Sequence, residues 1–265
     1  MIMSKILKNK SSNTPAPIGP KLKFASQEAY NLLRINLSFS LPDKEGKTKI
    51  IGVTSSSPKE GKSYTAINLA YTLAEAKSKV LLIDTDLRRP TIAKQLEIAQ
   101  SPGLSNFLAG QTEKVAHKNV LSPNLWVITA GDIPPNPSEL ISSKAMVDML
   151  DKFSNLFDYI IMDLPPVNAV ADPIALAPKI DGVIVVVRHG RTKRGEILEA
   201  VRQIEFSKAN ILGFVYNGMF AEHARYRSRG KYYYHGNYYR YDNSSAKRKT
   251  SAEPEDQTES ELTEL

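Results

Sequence analysis

The runs "KIIGVT", "KVLLID", "LWVITA", "YIIMD", "GVIVVVR" and "NILGFVYN" limit this chain more than any other feature of it. Each is short, aliphatic or β-branched, and lacks the polar alternation of a half-exposed strand, so both faces of each need cover. Between them "SYTAINLAYTLAEA", "KAMVDMLDKFSN", "PIALAPK" and "RGEILEAVRQIEFS" read wholly or partly as helix. Apolar strands alternating with helices imply an α/β fold: a parallel sheet with helices on both faces. No internal repeat breaks the pattern. A hydrophobic content of 42% over 265 residues supplies a core of the size this needs.

The flanks have a different composition. Residues 1–25 read as a flexible N-terminal arm, rich in proline, serine and lysine. The folded domain is expected over 26–220, with "SQEAYNLLRINLSFSL" as its first helix, Ser26 as N-cap and Ala29, Leu32, Leu33, Leu37 and Phe39 at mostly helical spacing. Residues 221–265 then read as a disordered tail in two parts. The stretch from Arg225 to Asn243 holds seven of the twelve tyrosines, among arginine, lysine, glycine and asparagine. Those residues cannot form one apolar face. The net charge of +7 is uneven as well: 222–249 carry eight Arg or Lys against two acids, whereas 251–265 carry six acids and no base. The acidic end reads as solvated, and the basic segment is suited to phosphates, acidic lipid or an acidic cleft.

Composition also excludes. Without cysteine there is no disulfide framework and no thiolate metal site, which fits a reducing, cytoplasmic setting. The longest apolar run, "GVIVVV" at 182–187, is far short of a membrane helix, and the basic start has no apolar stretch of signal-peptide length. Work at a membrane would need a partner.

The strongest local signal is "IIGVTSSSPKEGKSYTAINLA". A strand ends at Thr54, a loop of small residues follows, and Gly61-Lys62-Ser63 opens a helix. Loop amides and a helix N-terminus of this kind cradle phosphates, with Lys62 on the terminal phosphates and Ser63 on magnesium. Ser56 stands where the strict pattern has its first glycine. Downstream, Asp84 and Asp86 follow one strand and, if extended geometry persists, point to one side. Asp163 ends another. Parallel strands bring their carboxyl ends to one edge, where ligands of open α/β sheets bind, so three carboxylates can meet a magnesium nucleotide there.

"SSSPKEGKS", "VLLIDTDLRRP" and "YIIMDLPPV" resemble the Walker A, Walker A′ and Walker B motifs of the bacterial protein-tyrosine kinases of capsular and exopolysaccharide synthesis. "GLSNFLAG", "ADPIALA" and the tyrosine-rich tail are similar to that family too. The resemblance implies ATP and Mg²⁺ as cofactors, with Ser57, Lys59, Glu60, Gly61, Lys62, Ser63 and Tyr64 at the nucleotide and Asn217 at its adenine. It implies Ser63, Asp86 and Asp163 on magnesium or its waters, and Lys62, Asp84 and Asp86 as the catalytic set. Asp84 would accept or orient the tyrosine proton, although Asp84 and Asp86 can exchange roles. The phosphoacceptors would be Tyr226, Tyr232, Tyr233, Tyr234, Tyr238, Tyr239 and Tyr241, modified in trans. The partners so implied are a membrane polysaccharide co-polymerase whose cytoplasmic tail completes the kinase, other copies in an octameric ring, and a cognate phosphotyrosine phosphatase. No nucleic acid is expected, and the location is cytoplasmic, at the inner face of the membrane.

Two departures stand out. Lys59 replaces a glycine of the usual loop, at a backbone cost on the order of 1 kcal/mol if that position needs positive φ. The ring-forming Glu-x-x-Arg-x-x-Arg motif keeps Glu28 and Arg34 but has Asn31 between them. The rival readings are a positioning ATPase of the MinD or ParA kind and a nucleotide-gated regulatory subunit that transfers no phosphate.

Overall fold

The computed structural model describes residues 16–41 and 47–219. The seven tyrosines at 226–241 and the acidic end lie outside the described residues. The strands are β1 (Lys49–Ser55), β2 (Val80–Asp84), β3 (Ala116–His117), β4 (Leu125–Ile128), β5 (Tyr159–Asp163), β6 (Gly182–Arg188) and β7 (Ile211–Asn217). The helices are α1 (Phe24–Ser40), α2 (Lys62–Glu75), α3 (Ile92–Leu96), α4 (Leu104–Leu108), α5 (Pro137–Ile141), α6 (Lys144–Phe153), α7 (Asp172–Leu176) and α8 (Arg194–Phe206).

The strands form one sheet in the order β3-β4-β2-β5-β1-β6-β7. Every pairing is parallel except that of the two-residue edge strand β3 with β4. The unbroken apolar runs follow from this arrangement. Val80, Leu82, Leu125, Val127, Ile51, Val53, Ile184 and Val186 face Ala66, Leu69, Ala70 and Leu73 of α2 and Leu37 of α1. The residues one step along, Leu81, Ile83, Trp126, Ile128, Ile160, Met162 and Val185, face Met146, Met149, Leu150 and Phe153 of α6 and Ala200 and Ile204 of α8. A period of two on each face leaves buried polar residues only towards the carboxyl ends of β1, β2 and β5, at Thr54, Ser55, Asp84 and Asp163.

The start of the chain differs from expectation. Gly19–Lys21 forms a 3-10 turn, Leu22 is buried, and the Gly19 amide donates to Asn68 Oδ1 at 2.8 Å. The part of the expected arm from residue 16 on therefore packs on α2. Ser26 is not the N-cap: α1 begins two residues earlier, at Phe24, with Lys23 as its cap. Its inward face is narrower than the periodicity suggests. Leu33 and Leu37 pack inward, but Leu32, Ile35 and Phe39 are exposed.

Candidate functional site

Parallel pairing sets the geometry of the site. Asp84 and Asp163 are register partners at the carboxyl ends of β2 and β5, and Val53 of β1 pairs with Asp163 on its other side. The chain after β5 is fastened to β1 by Leu164 N–H to Val53 O at 2.9 Å, and by Thr54 Oγ1 to Pro165 O at 2.7 Å. The loop after β1 turns through Lys59, at φ 67, and Gly61, at φ 100, into α2. Lysine thus occupies a left-handed position that favours glycine. At Gly61 the positive φ disfavours a side chain, and a Cβ 2.0 Å from Asn217 Nδ2 would also displace that amide.

α2 starts at Lys62 with no side-chain cap and no acid in its first turn. Its first amides lack intrahelical partners and sit at the positive end of the helix dipole, which suits an anion. Lys62 Nζ lies 2.9 Å from Asp86 Oδ2 and 3.2 Å from Asp163 Oδ1, with Ser63 Oγ at 3.4 Å. These carboxylates hold the Lys62 ammonium above its ordinary pKa, against the opposing effect of its burial. Burial raises Asp163, while Lys62 and the Ser63 hydroxyl work the other way. Asp163 Oδ2 is buried with no hydrogen-bond partner. An unpaired buried acceptor of this kind costs about 1–3 kcal/mol and is satisfied by a cation or its water.

The two Walker A′ aspartates do not share one orientation. Asp86 faces Lys62, and its Oδ1 accepts the Arg89 amide at 3.0 Å. Asp84 turns towards the start of α3. Its Oδ2 accepts the amides of Thr91 and Ile92 at 3.2 Å each, and its Oδ1 accepts the Asp86 amide at 3.2 Å. Burial, followed by the charge of Asp163, pushes Asp84 up to about 8.

A cavity of about 580 Å³ opens over this cluster, its wall including Lys59, Gly61, Lys62, Ser63, Tyr64 and Asp86. Five of the seven loop residues expected at a nucleotide are therefore present. Ser57 and Glu60 are not on the wall. The Glu60 carboxylate turns inward, where it accepts from the Ser56 hydroxyl at 3.0 Å, the Ser57 amide at 3.1 Å and the Thr192 hydroxyl. Ser56 at the first-glycine position thus fastens the loop from inside. Asn217 also faces the loop rather than the cavity, donating from Nδ2 to Glu60 O at 2.9 Å. Arg88, Arg89 and Thr91 line the wall without having been assigned in the sequence. Arg88 is fixed by Asp172 Oδ2 at 3.0 Å and by Ser138 Oγ at 2.7 Å, contacts between distant segments that "DLRRP" alone does not reveal.

The donor set fits magnesium. Ser63, Asp86 and Asp163 offer hard oxygens, and magnesium is held by one or two carboxylates plus phosphates and waters rather than by a protein cage. No group of three or more His, Cys, Asp or Glu side chains able to hold a metal occurs among the described residues. On the outside, Glu28 is exposed on α1 and accepts from Asn31 Nδ2 at 3.1 Å, while the buried Nε of Arg34 has no partner.

The AAA domain family matches residues 48–212. The tyrosine-protein kinase YwqD of Bacillus subtilis is 36% identical over 208 residues, covering 77% of this chain and 86% of its own. The putative tyrosine-protein kinase CapB of Staphylococcus aureus is 33% identical over 213 residues, covering 80% and 92%. Among solved structures, the kinase domain of the Escherichia coli tyrosine kinase ETK superposes with a TM-score of 0.69 at 31% identity, over 80% of each chain. By the motifs at the sheet edge, the fold and these similarities, the chain belongs to the bacterial tyrosine-protein kinases, built on a P-loop AAA domain.

Proposed function

We propose that this chain transfers the terminal phosphoryl group of ATP to tyrosines of its own C-terminal segment, Tyr226 to Tyr241, on a neighbouring copy. The observation that supports this most is the Lys62 ammonium between Asp86 and Asp163, at the mouth of a cavity with an uncapped helix start. Phosphoryl transfer asks a protein chiefly for positioning and charge stabilisation, and these groups supply both.

The roles follow from position. The α2 amides and Lys62 hold phosphate oxygens, with Lys59 as a second positive charge on the wall. Ser63, Asp86 and Asp163 hold magnesium, which when bound neutralises phosphate charge. Of the two A′ carboxylates, Asp86 lines the cavity and Asp84 does not, so the magnesium role falls to Asp86. Asp84, with both oxygens on backbone amides, positions the 85–92 segment. Asn217 supports the loop through Glu60 O and has the adenine as its further expected contact.

No helix among the described residues is long and apolar enough to cross a membrane. We therefore assign recruitment to the inner face of the membrane to an adaptor of the polysaccharide co-polymerase kind, and the process served to capsule or exopolysaccharide synthesis. Self-association, in an octameric ring, uses Glu28 and Arg34 together with the exposed Leu32, Ile35 and Phe39 of α1. A phosphotyrosine phosphatase would reset the tail.

The test is intact-mass analysis and phosphotyrosine mapping after magnesium-ATP incubation, with and without an adaptor tail. Several phosphates on the 226–241 peptide are expected, with a loss of at least about a hundredfold in rate for Lys62→Met, as for removal of one electrostatic stabiliser. Nucleotide binding without any phosphotyrosine, with adaptor present, overturns the proposal in favour of an ATPase or a nucleotide sensor.

A further inference from the structure

The opposite edge of the sheet carries a second concavity, of about 610 Å³, at the amino ends of β1, β2 and β5. Four lysines line it: Lys47, Lys49, Lys77 and Lys79. Each belongs to a structural boundary. Lys47 and Lys49 lead into β1, Lys77 follows α2, and Lys79 precedes β2. In the floor, the buried Thr48 hydroxyl lies within hydrogen-bonding reach of the carbonyls of Ser154 and Phe157, and its single proton is shared between them. Among the described residues the wall has one acid, Asp158, whose Oδ2 accepts the Lys79 amide at 2.7 Å and whose carbonyl accepts the Lys49 amide at 3.0 Å. Lys49 Nζ stands 5.7 Å from the centre of the Tyr159 ring.

Lys77 adds an observation of another kind. It has φ 70 and closes α2 in a turn where Lys77 N–H donates to Ala74 O and Ser78 N–H to Leu73 O. Glycine is the usual residue at such a helix end, so a lysine there holds its charge at the cleft against backbone strain. Lys47, Lys49 and Lys77 give the described wall an excess of positive charge that suits an acidic segment.

The chain contains such a segment. From Ser251 to Leu265 there are six carboxylates and no base: Glu253, Glu255, Asp256, Glu259, Glu261 and Glu264. The described chain ends at Met219, and the residues from there to Ser251 can span up to about 105 Å at 3.3 Å each. A domain of this size is about 45 Å across by its radius-of-gyration scaling, so the reach to the far edge is ample. The backbones that carry the cleft lysines are fixed at strand starts and a helix end, so docking orders the lysine side chains and the acidic segment but not the cleft itself.

We infer that the lysine cleft at the amino edge of the sheet is the docking site of the chain's own acidic C-terminal segment, 251–265. The tyrosine segment then runs between two anchors, the end of β7 and the cleft. The cleft and the cavity over Lys62 occupy opposite edges of the sheet, so docking closes the tyrosine segment into a loop tethered at both ends.

The experiment uses the full chain. Zero-length carboxyl-to-amine cross-linking with peptide mapping is run on a mixture of isotope-labelled and unlabelled protein, at low salt and at about 0.5 M salt, where screening acts within a few ångströms. Cross-links from the 253–264 carboxylates to Lys47, Lys49 or Lys77, within one isotope class and lost at high salt, are expected. A second readout is the acetylation rate of those lysines. It should rise several-fold when the six acids are replaced together (E253Q, E255Q, D256N, E259Q, E261Q, E264Q), changes that lie outside the folded sheet. Cross-links only to Lys231, Lys247 or Lys249, only between isotope classes, or from the cleft only to Asp43 or Glu45 would overturn the inference. Unchanged acetylation rates would do the same. Neither readout depends on phosphoryl transfer, so the inference stands or falls separately from the kinase reading.

Discussion

Lys59 and Asp84 show how much single positions carry in this site. Lys59 sits at φ 67 on the cavity wall, a conformation in which a Cβ is unfavourable. Lys59→Gly is expected to stabilise the nucleotide-free protein by about 1 kcal/mol in denaturant melts, relief of strain outweighing the greater freedom of glycine in the unfolded chain. Asp84 makes a prediction about pH. Its folded pKa of about 8 lies above the ordinary carboxylate value, so between about pH 4 and pH 8 the folded state binds a proton that the unfolded state has released. Stability from this group is thus present at low pH and is lost as pH rises to 8. The melting temperature of metal-free wild type should fall more steeply from pH 5 to pH 8 than that of Asp84→Asn; parallel curves would show Asp84 ionised in the fold. The meeting of Lys62 with Asp86 and Asp163 was legible in the sequence because it is tied to strand ends and short spacings, whereas the turn of Asp84 away from Asp86 was not. The inward turn of Glu60 was not, since its partner Thr192 is 132 residues away.

Among the elements, legibility depended on length and burial. The long strands were evident as apolar runs, and α2, α6 and α8 as extended helical periods. Of the four five-residue helices only α7 was read, within "PIALAPK"; a turn and a half carries little period, so α3, α4 and α5 were missed, and β3 is two residues at an edge. α1 is the instructive case, with apolar residues on two faces and only one core to fill. Glu28, Leu32, Ile35 and Phe39 follow one another at helical spacing, and these three apolar side chains are 59%, 44% and 83% exposed. A stripe of that kind on an outer helix suits a subunit contact. On the proposed self-association, wild type is expected to sediment as an oligomer and the Leu32→Glu, Phe39→Glu double variant as a monomer whose melting temperature is unchanged within a degree or two. An unchanged sedimentation coefficient would place the subunit contact elsewhere.

On the scale of the molecule, the site exists only once the sheet is assembled. The phosphate loop follows β1, Asp84 and Asp86 follow β2, and Asp163 ends β5, three segments that the strand order brings side by side. A ligand bound only by this assembly stabilises the whole fold, by about 2.7 kcal/mol at a hundredfold excess over its Kd. Magnesium-ATP should therefore raise the melting temperature of the wild type and leave Lys62→Met nearly unmoved; an equal rise in both would mean that Lys62 takes no part in binding. The strand order was not legible in the sequence, since consecutive strands need not be neighbours in the sheet and the runs themselves are alike. One last property follows from Asn217, whose side chain grips the phosphate loop at Glu60 O and covers Gly61. In mechanical terms the end of β7 and the loop share a rivet, so a displacement of the last strand's end arrives at the Gly61 turn across the width of one side chain.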